Sequence, residues 1–152
     1  MSDQELYDGG IRLIRGAADL SEQTGQTAGA VRLAAVGPGG EATARSGRIW
    51  MGRVSNEPGM RSLPHHHGEA ETAGYVLSGR ARIYWGEGWA QYVDMEAGDF
   101  CYVPAHLPHI EANLSTTEPL VFLTCRTPDN IVVNLDDVDG PLHTNDPARS
   151  AR

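Results

Sequence analysis

The sequence predicts an all-β fold, a sandwich or barrel. Short alternating or apolar runs recur along the chain, and turn residues close each one. Glycine and proline are abundant, 18 and 9 in 152 residues, which favours tight turns between short elements. No window of about eleven residues carries a convincing helical stripe. The best, Asp8 to Leu20, is interrupted by Gly9, Gly10 and Gly16.

The strands follow in order. Ile11 to Ile14 alternates briefly, and Ala30 to Val36 ends at the breaker Gly37-Pro38-Gly39-Gly40. Arg48 to Val54 is the next run. Gly74 to Trp85 is the longest, and Gly79 near its middle predicts a bulge or a corner. Ala90 to Met95, Phe100 to Val103, His109 to Asn113, Pro119 to Arg126 and Ile131 to Asn134 complete the set. Gly86-Glu87-Gly88 predicts a hairpin turn flanked by Tyr84, Trp85, Trp89 and Tyr92, which pack on the barrel or its rim. Residues 15–29 read as a long loop and residues 135–152 as an acidic, then polar tail. If that tail is ordered it needs a surface to lie on, and a second subunit is one candidate.

Charge and composition remove several function classes. Twelve basic against twenty acidic residues give a net charge of −8 and a pI near 5.1. An acidic surface repels phosphate backbones, so no nucleic-acid partner is expected. All twelve basic residues are arginine, which excludes Schiff-base and acid–base lysine chemistry. No apolar run approaches a membrane span. The acidic start, Met1-Ser2-Asp3-Gln4-Glu5, does not read as a signal peptide, so a cytoplasmic location is expected. Cys101 and Cys125 then read as reduced residues of the core. Gly37 to Ala42 fits a dinucleotide pattern only formally, because no helix follows it. Motifs for nucleophilic-serine hydrolases, zinc proteases and dithiol redox enzymes are missing.

Five of the six histidines fall in two places, His65-His66-His67 and His106 with His109. On an extended strand His65 and His67 share one face, while His66 faces the other way. Two imidazoles on one face can bind an ion if further ligands arrive from elsewhere, and Glu71 and His109 are the candidates. Imidazole with carboxylate suits Zn, Fe, Ni, Mn or Cu.

The surrounding residues carry a resemblance. Residues 59–79 read Gly-x5-His-x-His-x3-Glu-x7-Gly. Downstream, Gly98 to Pro104 reads Gly-x5-Pro, followed by x4-His109-x3-Asn113. These segments resemble the two signature motifs of the cupin superfamily. The resemblance implies a double-stranded β-helix, a small jelly-roll-like barrel with a site in its mouth. It implies one cupin domain over 1–152, with N-terminal strands and loop over 1–47, the barrel core over 48–134 and the tail over 135–152. By match, His65, His67, Glu71 and His109 would hold one divalent transition ion, Fe, Mn, Ni or Zn.

Two departures from the pattern matter. Glu71 to Gly79 has one residue too many, and counting back from Gly79 the usual Glu position falls on Thr72. One residue of slip turns a side chain to the other face unless a bulge absorbs it. Either Glu71 is a ligand across a bulge, or three histidines hold the ion with Thr72 nearby. Glu69 is a weaker carboxylate candidate. The second departure is His106, which stands where the motif has Gly. It is the candidate catalytic acid or base, because an imidazole without a metal bond titrates near neutral pH; otherwise it is a turn residue. Arg80 and Arg82 either pair on the surface or face inward to hold an anion.

Two functions are expected from this reading. One is a metal-dependent enzyme acting on a small oxygenated organic molecule, of dioxygenase, isomerase, cyclase or lyase type. The other is a non-catalytic small-ligand-binding cupin. A homodimer is expected in both, because the strands outside the motifs leave sheet edges to cover.

Overall fold

The structure is a computed structural model that describes residues 10–16, 20, 23–24, 29–138, 142 and 150–151. Its strands are β1 (Gln23–Thr24), β2 (Ala30–Gly37), β3 (Ala44–Arg45), β4 (Trp50–Asn56), β5 (His65–His66), β6 (Glu71–Ser78) and β7 (Arg80–Trp85). A 3-10 turn, Glu87–Trp89, leads to β8 (Gln91–Glu96), β9 (Phe100–Val103), β10 (His109–Asn113), β11 (Leu120–Thr127), β12 (Val133–Asn134) and β13 (Ser150–Ala151).

The strands form two sheets. One runs β1-β2-β4-β11-β6-β9, with β3 beside β2, and the other runs β12-β5-β10-β7-β8-β13. Strand alternation decides what lies between them. Val76 and Leu120 from the first sheet meet Ala81 and Met95 from the second, and Ile83, Val93, Cys101 and Phe122 pack around them. The alternate residues of the second sheet, Tyr84, Tyr92, Ile110 and Ala112, form a cluster on its other face. Val138 and Leu142 pack against that cluster, and β13 pairs in parallel with β8 at Tyr92 and Val93. The described part of the tail therefore lies on the chain's own sheet. That part needs no second subunit to lie on; the rest of the tail lies outside the described residues.

The long predicted run is two strands. Gly79 turns the chain between β6 and β7 with φ +90, and a Cβ there would meet the Pro119 carbonyl oxygen at 2.6 Å. Only glycine fits such a corner. A bulge between Val121 and Phe122 of β11 pairs them with Ser78 and Val76, leaving Leu77 without a partner. It absorbs the extra residue of the first motif downstream of position 72. The predicted strand Ile11 to Ile14 does not form: residues 11–15 carry no strand, and Ile11 and Leu13 are exposed. Four alternating residues have no intrinsic stability without a neighbour to pair with. The predicted loop over 15–29 contains β1 and otherwise lies mostly outside the described residues.

Other readings resolve simply. Arg82 grips Asp94 in a bidentate ion pair, with Nε–Oδ1 2.5 Å and Nη2–Oδ2 2.8 Å, and lies 4.0 Å over the Tyr92 ring. It is a pairing residue of the outer face rather than an inward anion clamp. Cys101 and Cys125 are free thiols. Asn113 is buried and its amide nitrogen donates to the carbonyls of Asn56, Glu57 and Glu118, tying three segments at one end of the barrel. Among the described residues, no helix is long and apolar enough to cross a membrane.

Candidate metal centre

Strand register assembles the histidines. β5 pairs with β10 so that His65 lies directly opposite His109. Directly opposed residues share a face. His67, two residues after His65, returns to that face. All three are buried, and their ring centroids lie 4.4 to 5.1 Å apart. One ring nitrogen from each lies within 4.8 Å of the others.

Backbone carbonyls fix the tautomers. The Nδ1–H of His65 donates to Leu63 O at 2.7 Å, that of His67 to Ile131 O at 2.7 Å, and that of His109 to Leu107 O at 2.8 Å. Each ring thus turns Nε2, the nitrogen that carries the lone pair, away from these carbonyls; that of His67 is in contact with Arg126. This is the usual support for a ligating histidine. Burial pushes the pKa of His65 down to about 4, that of His109 to about 4 and that of His67 to about 2, where the nearby Arg126 charge adds to burial. All three rings are neutral at pH 7, the form that binds metal.

The structure does not bring Glu71 to this cluster. Its side chain is exposed on the outer face of β6 and accepts a hydrogen bond from the Tyr102 hydroxyl at 2.5 Å. Thr72 is the inward residue, 5% exposed. The bulge at Leu77 lies past both and cannot turn Glu71 inward. Glu69 is exposed as well. His106 is also elsewhere: it is exposed, its φ is +62, and its ring faces that of His66 at 6.4 Å. Its left-handed backbone is one that glycine, the residue of the motif, adopts freely, and it donates its N–H to Gly68 O at 2.7 Å. It does not line the interior cavity, so the acid–base role expected of it has no geometric support. His66 turns outward as expected, and its Nδ1 accepts from the Gly68 N–H.

Two residues of the site went unread in the sequence. Glu111 lies two positions after His109 on β10 and therefore faces inward with it. Arg126 reaches in from β11. Its Nε donates to Thr72 Oγ1 at 3.0 Å, Nη1 to Asn130 Oδ1 at 2.8 Å and Nη2 to His67 Nε2 at 3.2 Å. Burial lowers its pKa to about 10, partly offset by Glu111, and it stays charged at pH 7. Period two from His109 would have flagged Glu111; nothing in the sequence marks Arg126.

His67, Thr72, His109, Glu111, Thr124 and Arg126 line a narrow interior cavity of about 40 Å³. A cleft of about 540 Å³, containing none of the three histidines, adjoins it between β8 and β9. The two share Ile83, Met95, Cys101 and Val103 as lining residues.

Residues 52–125 match the Cupin domain family. This segment of the chain is a cupin domain. This cupin is 38% identical over 72 residues to oxalate decarboxylase OxdC of Bacillus subtilis, which covers 46% of the chain but only 18% of that protein. A structure of oxalate decarboxylase from Bacillus subtilis at pH 4.6 superposes with TM-score 0.60 and 29% identity, over 74% of this chain and 30% of that one. That enzyme has Mn(II) centres. A Klebsiella pneumoniae protein with a double-stranded beta-helix domain superposes with TM-score 0.62 at 18% identity, over 84% of this cupin and the whole of that chain, a likeness of fold alone. This cupin therefore spans less than a third of the oxalate decarboxylases it resembles.

The donor set fits a divalent transition ion. Three neutral imidazoles with anchored Nδ1–H groups converge, and among the described residues no carboxylate joins them, which leaves open positions for water or a substrate. The three-histidine group can hold a metal.

Proposed function

We propose that the chain is a metal-dependent enzyme that acts on a small oxygenated organic molecule at an ion held by His65, His67 and His109. The observation that carries this is the convergence of three buried histidines whose Nδ1–H groups are all tied to carbonyls. Burying three imidazoles is costly, and a barrel serving only as scaffold would fill those positions with apolar side chains. When bound, the ion supplies a Lewis acid that polarises a substrate oxygen. The likeness to oxalate decarboxylases supports a lyase acting on a small acid, with Mn(II) as the first ion to test.

The chain's own residues would do the rest. Glu111 replaces His106 as the proposed proton carrier, because its side chain lines the same cavity as His67 and His109. The apolar residues Ile83, Met95, Val103 and Phe122 exclude bulk water from that cavity. Asn130 and Thr72 hold the Arg126 guanidinium in place.

The test is a metal-loaded preparation assayed against oxalate and a panel of small keto, hydroxy and dicarboxylic acids, with Glu111→Gln alongside. Turnover that falls about 10²–10⁴-fold in Glu111→Gln, with metal retained, supports the reading. A loaded protein that binds members of the panel but turns over none would favour the non-catalytic ligand-binding alternative. A homodimer also stays a proposal: β9 ends its sheet with Phe100 and Tyr102 exposed, and sedimentation at micromolar concentration should give twice the chain mass. A monomer would remove it.

A further inference from the structure

We propose that Arg126 couples the metal to an anionic ligand: it competes with the ion for His67 and, once displaced from that ring, becomes the partner of a small carboxylate bound beside the metal. This inference rests on the three-histidine reading and names the ligand class of that site.

The argument begins with one lone pair. His67 Nδ1 is committed to the Ile131 carbonyl as a donor, so Nε2 is the acceptor, and Arg126 Nη2 lies 3.2 Å from it. An imidazole nitrogen has a single in-plane lone pair and cannot accept an N–H and ligate an ion at once. Metal and Arg126 therefore compete for His67. In taking the lone pair, the ion strips Nη2 of its acceptor.

The guanidinium cannot simply leave. Nε is held by Thr72 Oγ1 and Nη1 by Asn130 Oδ1, and neither acceptor is a metal ligand in this arrangement. The side chain also lies over the buried Trp50 ring, at 5.4 Å. Arg126 is thus kept against the site with one donor edge open. Two cations then stand side by side in a poorly hydrated interior. The three histidines are neutral, and Thr72 brings no charge where a carboxylate would have countered the ion. Arg32 adds a further like charge near Arg126, which leaves Glu111 as the anion of the cavity. A divalent ion with Arg126 and Glu111 leaves a net positive site.

A small carboxylate meets both needs. One oxygen fills an open position on the ion, and the other accepts from Arg126 Nη2 as a charge-assisted hydrogen bond. The narrow cavity restricts the ligand to a few atoms at this point, with any remainder in the adjoining cleft. Metal and carboxylate must then strengthen each other's binding, because linkage is reciprocal.

The experiment is Mn(II) binding to the full chain, followed through the free-ion electron paramagnetic resonance signal. It is run with formate and with chloride at constant ionic strength, on wild type and Arg126→Met. In wild type, saturating formate should tighten Mn(II) binding about 5-fold or more, the lower range of allosteric coupling. In Arg126→Met, Mn(II) should bind more tightly in chloride than it does to wild type, and the formate effect should shrink below about twofold. Metal uptake with no formate effect in wild type would overturn the role of Arg126 and leave the metal site standing; Glu111 would then be the sufficient counter-charge. A protein that takes up neither Mn(II) nor Zn(II) would instead overturn the three-histidine site and this inference with it. The wild-type arm decides the matter even if Arg126→Met does not fold.

Discussion

Acidification should unfold the metal-free protein well above the pH at which carboxylates titrate. His65, His67 and His109 are buried and neutral, with pKa values near 4, 2 and 4 in the fold against 6.5 in an unfolded chain. Below pH 6.5 the unfolded chain binds three protons that the folded chain refuses. Stability is therefore full above pH 6.5 and falls as the pH drops towards 4. Each group contributes about 1.4 kcal/mol per pH unit, so the three together give a slope of about 4 kcal/mol per unit. At pH 5 the loss is about 2 kcal/mol for each histidine and at most about 6 kcal/mol in all, comparable with the whole stability of an ordinary domain, about 5–15 kcal/mol. Urea titrations in a chelator at pH 7, 6 and 5 would measure it, with His65→Gln expected to remove about a third of the slope. A free energy of unfolding that stays flat between pH 6.5 and 5 would refute the claim that these three imidazoles are buried in neutral form.

Further outcomes follow from single side chains. Glu71→Gln should leave metal affinity within about threefold of wild type, whereas a true ligand would cost at least the 10–100-fold typical of an outer-shell group; a larger loss in a metal titration would return Glu71 to the site. His106→Gly should keep metal content and stability to within about 1 kcal/mol, while His106→Val should destabilise by about 1–2 kcal/mol, because φ +62 is a left-handed conformation that a β-branched residue resists. Gly79→Ala should cost at least about 1 kcal/mol in a thermal or urea melt, since its Cβ would meet the Pro119 carbonyl oxygen at 2.6 Å.

The parts of this structure that were legible in the sequence are those set by period two and by turn chemistry. β9 and β10 have the bounds read from the sequence, and β2, β4, β8 and β11 differ from it by a residue or two at their ends. His65 and His67 could be placed on one face from alternation alone. Whether a carboxylate accompanied them could not be read, because the answer hung on where a bulge lies. The bulge sits at Leu77, downstream of the choice, and so Thr72 rather than Glu71 turns inward. His106 misled for a related reason. Its chemistry suited catalysis, but the backbone uses it as a left-handed turn residue and leaves the ring outside. Arg126 was invisible because its role depends on β11 lying beside β6, a pairing that brings position 126 opposite position 72 across 54 residues of sequence. Ile11 to Ile14 failed in the opposite direction, having the pattern of a strand but no strand partner among the described residues.

The central claim is that His65, His67 and His109 together hold one divalent ion. Elemental analysis after loading with Mn(II) and exhaustive dialysis tests it most directly, comparing wild type with His65→Ala, His67→Ala and His109→Ala. The account predicts a stoichiometry near one ion per chain in wild type, falling to near zero in each variant whose circular dichroism remains that of the folded protein. Metal-free wild-type protein, or folded variants that retain the ion as well as wild type does, would contradict it.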